Sequence, residues 1–90
     1  MFILQFVDAY TQEIIREETY DKEDFIFEMI DSFHETCVKE NDIILFDNKQ
    51  RILDAKFISH KMIREADRKI YKLFFVVILS EIQAPINNKT

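Results

Sequence analysis

The sequence contains no glycine in its 90 residues. Phosphate-binding loops, dinucleotide-binding motifs and nucleophile elbows all need glycine, because the backbone there must turn sharply or approach a ligand closely. The absence of glycine therefore excludes these sites. It also predicts that Asp and Asn occupy the tight turns, since they tolerate a positive φ better than most residues.

Cysteine and long apolar runs are also scarce. Cys37 is the only cysteine, which excludes a disulfide within the chain and favours a reducing compartment. The apolar run 73–79 has seven residues, far fewer than the roughly 20 that a membrane-spanning helix needs. Residues 1–7 lack the basic segment and the cleavage site of a signal peptide. We therefore predict a cytoplasmic protein with no membrane contact.

Charge is distributed unevenly along the chain. The net charge is −5, but residues 1–50 carry 13 Asp or Glu against 4 Lys or Arg, whereas residues 51–90 carry 4 against 8. A chain divided in this way offers surfaces of opposite sign to itself or to different partners. The abundance of Ile, Lys, Asn and Phe is typical of an AT-rich genome, which suggests a phage or another mobile element as the source.

The run 73–79 is rich in β-branched and aromatic residues. It predicts a central strand that is buried on both faces, with Phe75 and Val77 in the core. Alternating apolar residues predict the other strands, and the full set is 2–7 and 13–20, joined as a hairpin, followed by 43–46, 52–59 and 69–80. Residues 60–68 are compatible with a long loop, a twisted hairpin tip with extended arms, or a short helical turn.

One long helix is predicted over residues 22–40. Thr19 or Asp21 is suitable as its N-cap, and Asn41 is suitable for the left-handed position at its C-terminal end. Its apolar residues recur at intervals of three and four and form a single stripe, which consists of Phe25, Ile26, Met29, Ile30, Phe33 and Cys37.

The order of these elements predicts an α+β fold. We expect a two-layer ββαβββ sandwich, in which an antiparallel sheet carries one long helix on one face. The domain should span residues 1–82, and residues 83–90 should form a frayed C-terminal tail. Because one helix covers only one face of the sheet, the second apolar face predicts a homodimer or another protein partner.

The predicted helix carries a row of four carboxylates, which recur every three or four residues and lie on one side: Asp24, Glu28, Asp31 and Glu35. Successive members lie roughly 5–6 Å apart along the helix axis. That spacing approaches the phosphate spacing of a nucleic-acid strand. The row therefore predicts either a mimic that binds a basic surface of a partner, or an ordinary solvated face.

A basic segment over residues 56–72 is the alternative site. Its cations could contact phosphates while Tyr71 stacks on a base. The candidate nucleic-acid-binding residues are Lys56, Lys61, Arg64, Arg68, Lys69 and Lys72, with His60 among them. The acidic balance of the whole chain argues against this interpretation.

Catalytic and metal sites receive little support. Cys37 and His34 have helical spacing, but Cys37 continues the apolar stripe and should be buried. Ser59 and His60 are adjacent on a strand and point to opposite faces. Metal ligands could come from Glu28, Asp31, His34 and Glu35, since a carboxylate-x-x-His step occurs in di-iron helices, but those sites draw ligands from four helices. We predict no metal and no cofactor.

These observations favour a small non-enzymatic protein-binding domain. It would act as an inhibitor that presents its acidic helix face to a basic surface of a host protein. Nucleic-acid binding through the 56–72 segment is the first alternative. A small enzyme with no recognisable motif is the second.

Overall fold

The computed structural model describes residues 1–78. It contains five strands and one helix in the predicted order ββαβββ. The elements are β1 (Phe2–Asp8), β2 (Ile14–Tyr20), α1 (Asp24–Val38), β3 (Ile43–Phe46), β4 (Ile52–Arg64) and β5 (Lys69–Ile78). The predicted strand end at residue 80, the domain boundary at 82 and the tail 83–90 lie outside the described residues.

The sheet is mixed, so the prediction of an antiparallel sheet is wrong. Its strand order is β2-β1-β5-β4-β3. β1 and β5 pair in parallel, with Phe2 opposite Lys69 and Asp8 opposite Phe75. The other three pairs are antiparallel. The parallel pair arises from the path of the chain. After β2 the chain passes through α1 to the opposite edge of the sheet, where it forms β3 and β4, and it then returns to the centre as β5.

The sheet also curls towards closure, which a flat sandwich would not do. The backbone N–H of Asn48, in the β3–β4 turn, donates to the carbonyl oxygen of Ile15 in β2 at 3.2 Å. β2 and β3 are the two edge strands, so this bond joins opposite edges of one sheet. The architecture is therefore α+β with a nearly closed, barrel-like sheet.

β5 is central, as predicted. Phe75 is fully buried, and its ring lies 5.4–5.7 Å from the rings of Phe6, Phe33 and Phe57. Val77 is only partly buried. The core between the sheet and α1 consists of Leu4, Phe6, Ile26, Ile30, Leu45, Ala55, Phe57, Tyr71, Leu73 and Phe75.

The ends of α1 differ from the prediction. Its N-cap residue is Glu23, whose side chain makes no capping hydrogen bond. Glu40, with φ 58°, takes the left-handed position that was assigned to Asn41. The Glu40 N–H donates to Cys37 O at 3.0 Å and the Asn41 N–H to Thr36 O at 2.9 Å, the pattern of a Schellman motif.

The turns likewise depart from the expectation for a chain without glycine. The residues with positive φ are Gln12, Glu40 and Gln50 among those described, and none of them is Asp or Asn. Asp residues act through their side chains instead. In the β3–β4 turn, Asp47 accepts bonds from the Lys49 and Arg51 N–H groups and from the Arg51 guanidinium. Burial would raise the pKa of Asp47, but these bonds lower it below its ordinary value.

The segment 60–68 forms a hairpin tip with extended arms, one of the three predicted alternatives. β4 continues to Arg64, and β5 begins at Lys69. The N–H of Glu65 donates to Arg68 O at 2.9 Å and closes the tip.

Candidate functional site

The carboxylate row lies on the outer side of α1, and all four of its members are exposed. The buried residues Ile26 and Ile30 lie on the opposite side of the helix and contact the sheet. Glu35 pairs with Lys39 at 3.0 Å, one turn away. Within residues 1–78, the other three members have no ion-pair partner within 4.0 Å. The described part of the chain therefore leaves three adjacent carboxylates available to a partner.

Two phenylalanines flank this row. Phe25 is 53% exposed and Phe27 is 47% exposed. The prediction that Phe25 belongs to the buried stripe is wrong, because its ring lies at the margin of the helix contact and packs on Tyr20 with centroids 5.5 Å apart. Phe27 contacts the Tyr71 ring edge-on at 5.8 Å. We call Asp24, Phe25, Phe27, Glu28 and Asp31 together the outer surface of α1.

The last turn of α1 is solvent-exposed. Cys37, predicted to be buried, is exposed, and Val38 is 83% exposed. Phe33 is the last apolar residue of the helix that packs against the core. The stripe therefore ends one turn before the sequence pattern ends.

The N-terminal end of α1 is anchored to β5 by a buried tyrosine. The Tyr71 hydroxyl and the Lys69 ammonium both donate to Oε2 of Glu23, the latter at 3.0 Å. The bonds from Tyr71 and Lys69 lower the pKa of Glu23. Burial, with a further contribution from Glu23, raises the pKa of Tyr71 to about 12. This cluster has charged and titratable groups, but each is occupied in holding the helix to the sheet.

The two histidines of the chain meet in the structure. Nε2 of His34, on α1, lies 3.0 Å from Nδ1 of His60, on β4. The His34 ring also contacts the Phe57 ring edge-on, with centroids 4.9 Å apart. No group of three or more His, Cys, Asp or Glu side chains suited to a metal ion occurs within residues 1–78.

A β-bulge in β4 brings His60 to the helix, and sequence reasoning missed it. Phe57 pairs with Phe75 but Ser59 pairs with Phe74, so Ile58 is an extra residue. The extra residue reverses the alternation of faces beyond it. The available signal was that the apolar alternation through Leu53, Ala55 and Phe57 stops at this point.

The basic residues are divided between two faces of the sheet. Lys61 lies directly opposite Lys72 on the face away from α1, and Lys56 lies on the same face. Arg64 lies directly opposite Lys69 on the adjacent strand, on the face that carries the helix. Arg68 lies in the tip.

Three of these cations also have carboxylate partners. Lys56 pairs with Asp42 at 3.3 Å, Arg68 with Glu65 at 2.5 Å and Lys69 with Glu23 at 3.0 Å. The six residues therefore do not form one continuous basic patch. Lys61, Arg64 and Lys72 are the members for which the described residues provide no ion pair.

An open cavity of about 790 Å³ lies between the start of β2 and the β3–β4 turn. Its lining residues, within the described part of the chain, are Asp8, Glu13, Ile14, Ile15, Asp47, Asn48, Lys49, Gln50, Arg51, Ile52, Leu53 and Val77. None of those lining residues is a cysteine, serine or histidine. The titratable side chains that line the described part of the cavity are the carboxylates of Asp8, Glu13 and Asp47 together with Lys49 and Arg51.

Comparison with known proteins identifies no relative. No family model matches the sequence, and neither the curated proteins nor the solved structures include a match to it. Within residues 1–78, α1 is too short and too polar to cross a membrane.

Proposed function

We propose that this protein is a non-enzymatic protein-binding domain that inhibits a basic partner. In this proposal the outer surface of α1 is the contact site. Its carboxylates substitute for the phosphates of a nucleic acid in the partner's groove. Such an inhibitor would suit a phage or another mobile element that targets a host protein in the cytoplasm.

The observation that carries the proposal is the exposure of Phe25 and Phe27 beside carboxylates that have no ion-pair partner within residues 1–78. Fully burying a phenylalanine side chain stabilises a fold by about 1.5–3 kcal/mol. Phe25 and Phe27 contribute only part of this stabilisation because about half of each side chain is exposed. An ordinary solvated helix face has no need of exposed phenylalanines. Aromatic residues are enriched at protein interfaces, where a polar rim surrounds an apolar centre.

The electrostatics support the same surface. Residues 1–50 carry 13 acidic and 4 basic side chains, and the carboxylate row lies within this half. A field of one sign steers an oppositely charged partner and accelerates association. Exposed charges are screened beyond about 8 Å at physiological salt, so association should slow as salt is raised.

A charge-removal experiment tests the proposal, with a matched control. The helix variant carries Asp24→Asn, Glu28→Gln and Asp31→Asn. The control variant removes the same number of charges from exposed positions elsewhere, through Glu13→Gln, Asp21→Asn and Glu40→Gln. Surface changes of this kind usually alter stability by less than about 0.5 kcal/mol, so both variants should fold.

Each protein is then used to capture partners from a lysate of the host cell, with identification by mass spectrometry. We expect a basic protein to bind the wild type and the control variant and to be lost with the helix variant. The affinity of that protein is then measured directly for all three. Equal affinity for the helix variant and the wild type would refute the proposal.

A second candidate function is nucleic-acid binding through the sheet face away from α1. The observation in its favour is the pair Lys61 and Lys72, which lie directly opposite each other on adjacent strands. Like charges in this position destabilise a sheet, so a ligand that neutralises them would provide a reason for the pair. Phe74, partly exposed, lies on the same face and offers a ring for base stacking.

This candidate ranks second because the chain has a net charge of −5. Its test is the anisotropy of a labelled single-stranded DNA at low and at physiological salt. Binding that weakens steeply with salt and is lost in the Lys61→Gln/Lys72→Gln variant would support it. No binding at low salt would reject it.

A further inference from the structure

The contact between His34 and His60 links α1 to β4 through the only two histidines in the sequence. Both side chains are exposed, and their ring planes are nearly perpendicular, at 79°. One ring nitrogen of each residue faces the other across 3.0 Å. The pair is therefore accessible to a small solute.

The backbone holds both partners in place. His60 is directly opposite Leu73, a core residue that faces α1, so its side chain points to the helix side of the sheet. That orientation depends on the bulge at Ile58, because a regular strand would point His60 to the other face. The His34 ring rests on Phe57, which is buried. The strand register and the packing of α1 on β4 thus place the two rings side by side on the same face of the sheet.

We propose that His34 and His60 form a binding site for a divalent transition-metal ion, Cu²⁺ or Ni²⁺. A metal bound to imidazole nitrogens lies about 2.0–2.1 Å from each of them. Two such nitrogens at adjacent corners of a square-planar or octahedral site are then about 2.9 Å apart, which matches the observed 3.0 Å. A tetrahedral zinc site would need a wider separation, of about 3.4 Å.

The chemistry of binding needs no change in net charge on the side chains. In the metal-free pair one ring nitrogen donates its proton to the other. When the metal binds, Nε2 of His34 and Nδ1 of His60 both supply lone pairs, and each neutral ring carries its proton on its other nitrogen. Because residues 1–78 supply no third metal-binding side chain to the pair, water or a second molecule completes the coordination. The bound ion would cross-link α1 to β4.

A competing interpretation is a metal site on the helix alone, with Asp31 and His34, three residues apart, as its ligands. A third interpretation is that the histidines only hydrogen-bond each other and bind nothing. The three interpretations differ in which side chains binding requires. Removal of each side chain in turn therefore separates them.

The experiment is a calorimetric titration of the untagged protein with NiCl₂ and CuCl₂ in a buffer that does not bind metals. The variants are His34→Gln, His60→Gln and, as the matched control, Asp31→Asn. All three positions are exposed, so the variants should fold, which circular dichroism checks. The thermal midpoint of each protein is measured with and without metal as a second readout.

We expect saturable binding and a raised thermal midpoint for the wild type and for Asp31→Asn. Each histidine variant should bind at least about tenfold more weakly, since loss of a group that only orients a ligand already has an effect of that size. No saturable binding by the wild type would overturn the proposal. Binding that survives in both histidine variants, or that requires Asp31 and His34 but not His60, would overturn it as well.

Discussion

Replacement of Phe75 by alanine tests the assignment of β5 as the centre of the fold. Phe75 is fully buried and packs against the rings of Phe6, Phe33 and Phe57 at 5.4–5.7 Å. Truncation of a buried phenylalanine destabilises a protein by about 3–5 kcal/mol, because apolar contact is lost and a cavity remains. The loss of three aromatic contacts, each worth about 0.5–1.5 kcal/mol beyond area burial, favours the upper part of that range.

The assay is urea unfolding followed by far-UV circular dichroism. A native protein typically has a free energy of unfolding between about 5 and 15 kcal/mol. The variant should therefore either keep a measurable unfolding transition or be largely unfolded without urea. With a denaturant dependence of about 1–3 kcal/mol/M, the midpoint should fall by at least about 1 M.

The control for this experiment is Phe74→Ala, the same substitution on the adjacent residue. Phe74 points to the opposite face of the sheet and is only partly buried, so its truncation should lower the midpoint less. A shift of the strand register by one residue would exchange the two faces. If Phe74→Ala proves as destabilising as Phe75→Ala, or if Phe75→Ala leaves the midpoint unchanged, the placement of β5 is refuted.

Three further predictions concern the helix end, its anchor and the oligomeric state. Glu40→Gly should stabilise the protein by up to about 1 kcal/mol, because Glu40 has a φ of 58° at the helix C-terminus and glycine adopts this conformation without steric conflict. The control is Lys39→Gly, which should destabilise the protein because residue 39 has a φ of −82°, a conformation in which glycine has no steric advantage. The urea midpoints of the two variants are compared. The lowered pKa of Glu23 means that its bonds to Tyr71 and Lys69 stabilise the fold above the ordinary carboxyl pKa, and that this contribution is lost as the pH falls through the folded-state pKa. The raised pKa of Tyr71 has the opposite sign, since its contribution is complete below pH 10 and is lost as the pH rises through about 12. Unfolding midpoints of Tyr71→Phe should therefore depend less on pH at both extremes than those of the wild type; equal dependence would show that the cluster does not stabilise the fold. We also expect a homodimer in solution, because apolar residues on the sheet face away from α1, such as Ile44 at 63% exposure, remain accessible. Sedimentation equilibrium that shows only monomer at micromolar concentration would contradict this.

The outer surface of α1 could be predicted from the sequence only in part. The positions of Asp24, Glu28 and Asp31 on one exposed side of α1 follow from helical periodicity, which is a local property. The exposure of Phe25 does not follow from it, because the apolar stripe included this residue. Whether a residue at the margin of a stripe is buried depends on the width of the surface that the helix contacts, and that surface comes from strands far away in sequence.

The contact between His34 and His60 shows the same limit more sharply. These residues are 26 positions apart, and their meeting requires the bulge at Ile58 and the packing of α1 against β4. A single extra residue reverses the face of every side chain beyond it in β4. Sequence periodicity shows only that the apolar alternation of β4 stops after Phe57, and such a break does not distinguish a bulge from the end of the strand.

The sequence by itself determined the order ββαβββ, the central position of the run that contains Phe75 and the acidic side of α1, since these depend on patterns within single segments. Tertiary structure decided the parallel pairing of β1 with β5, the curl that brings Asn48 to Ile15, the anchoring of Glu23 by Tyr71 and the pairing of the two histidines. Each of these joins segments that are distant along the chain. Their geometry is fixed by close packing and hydrogen bonding of the whole sheet, and no local preference encodes it.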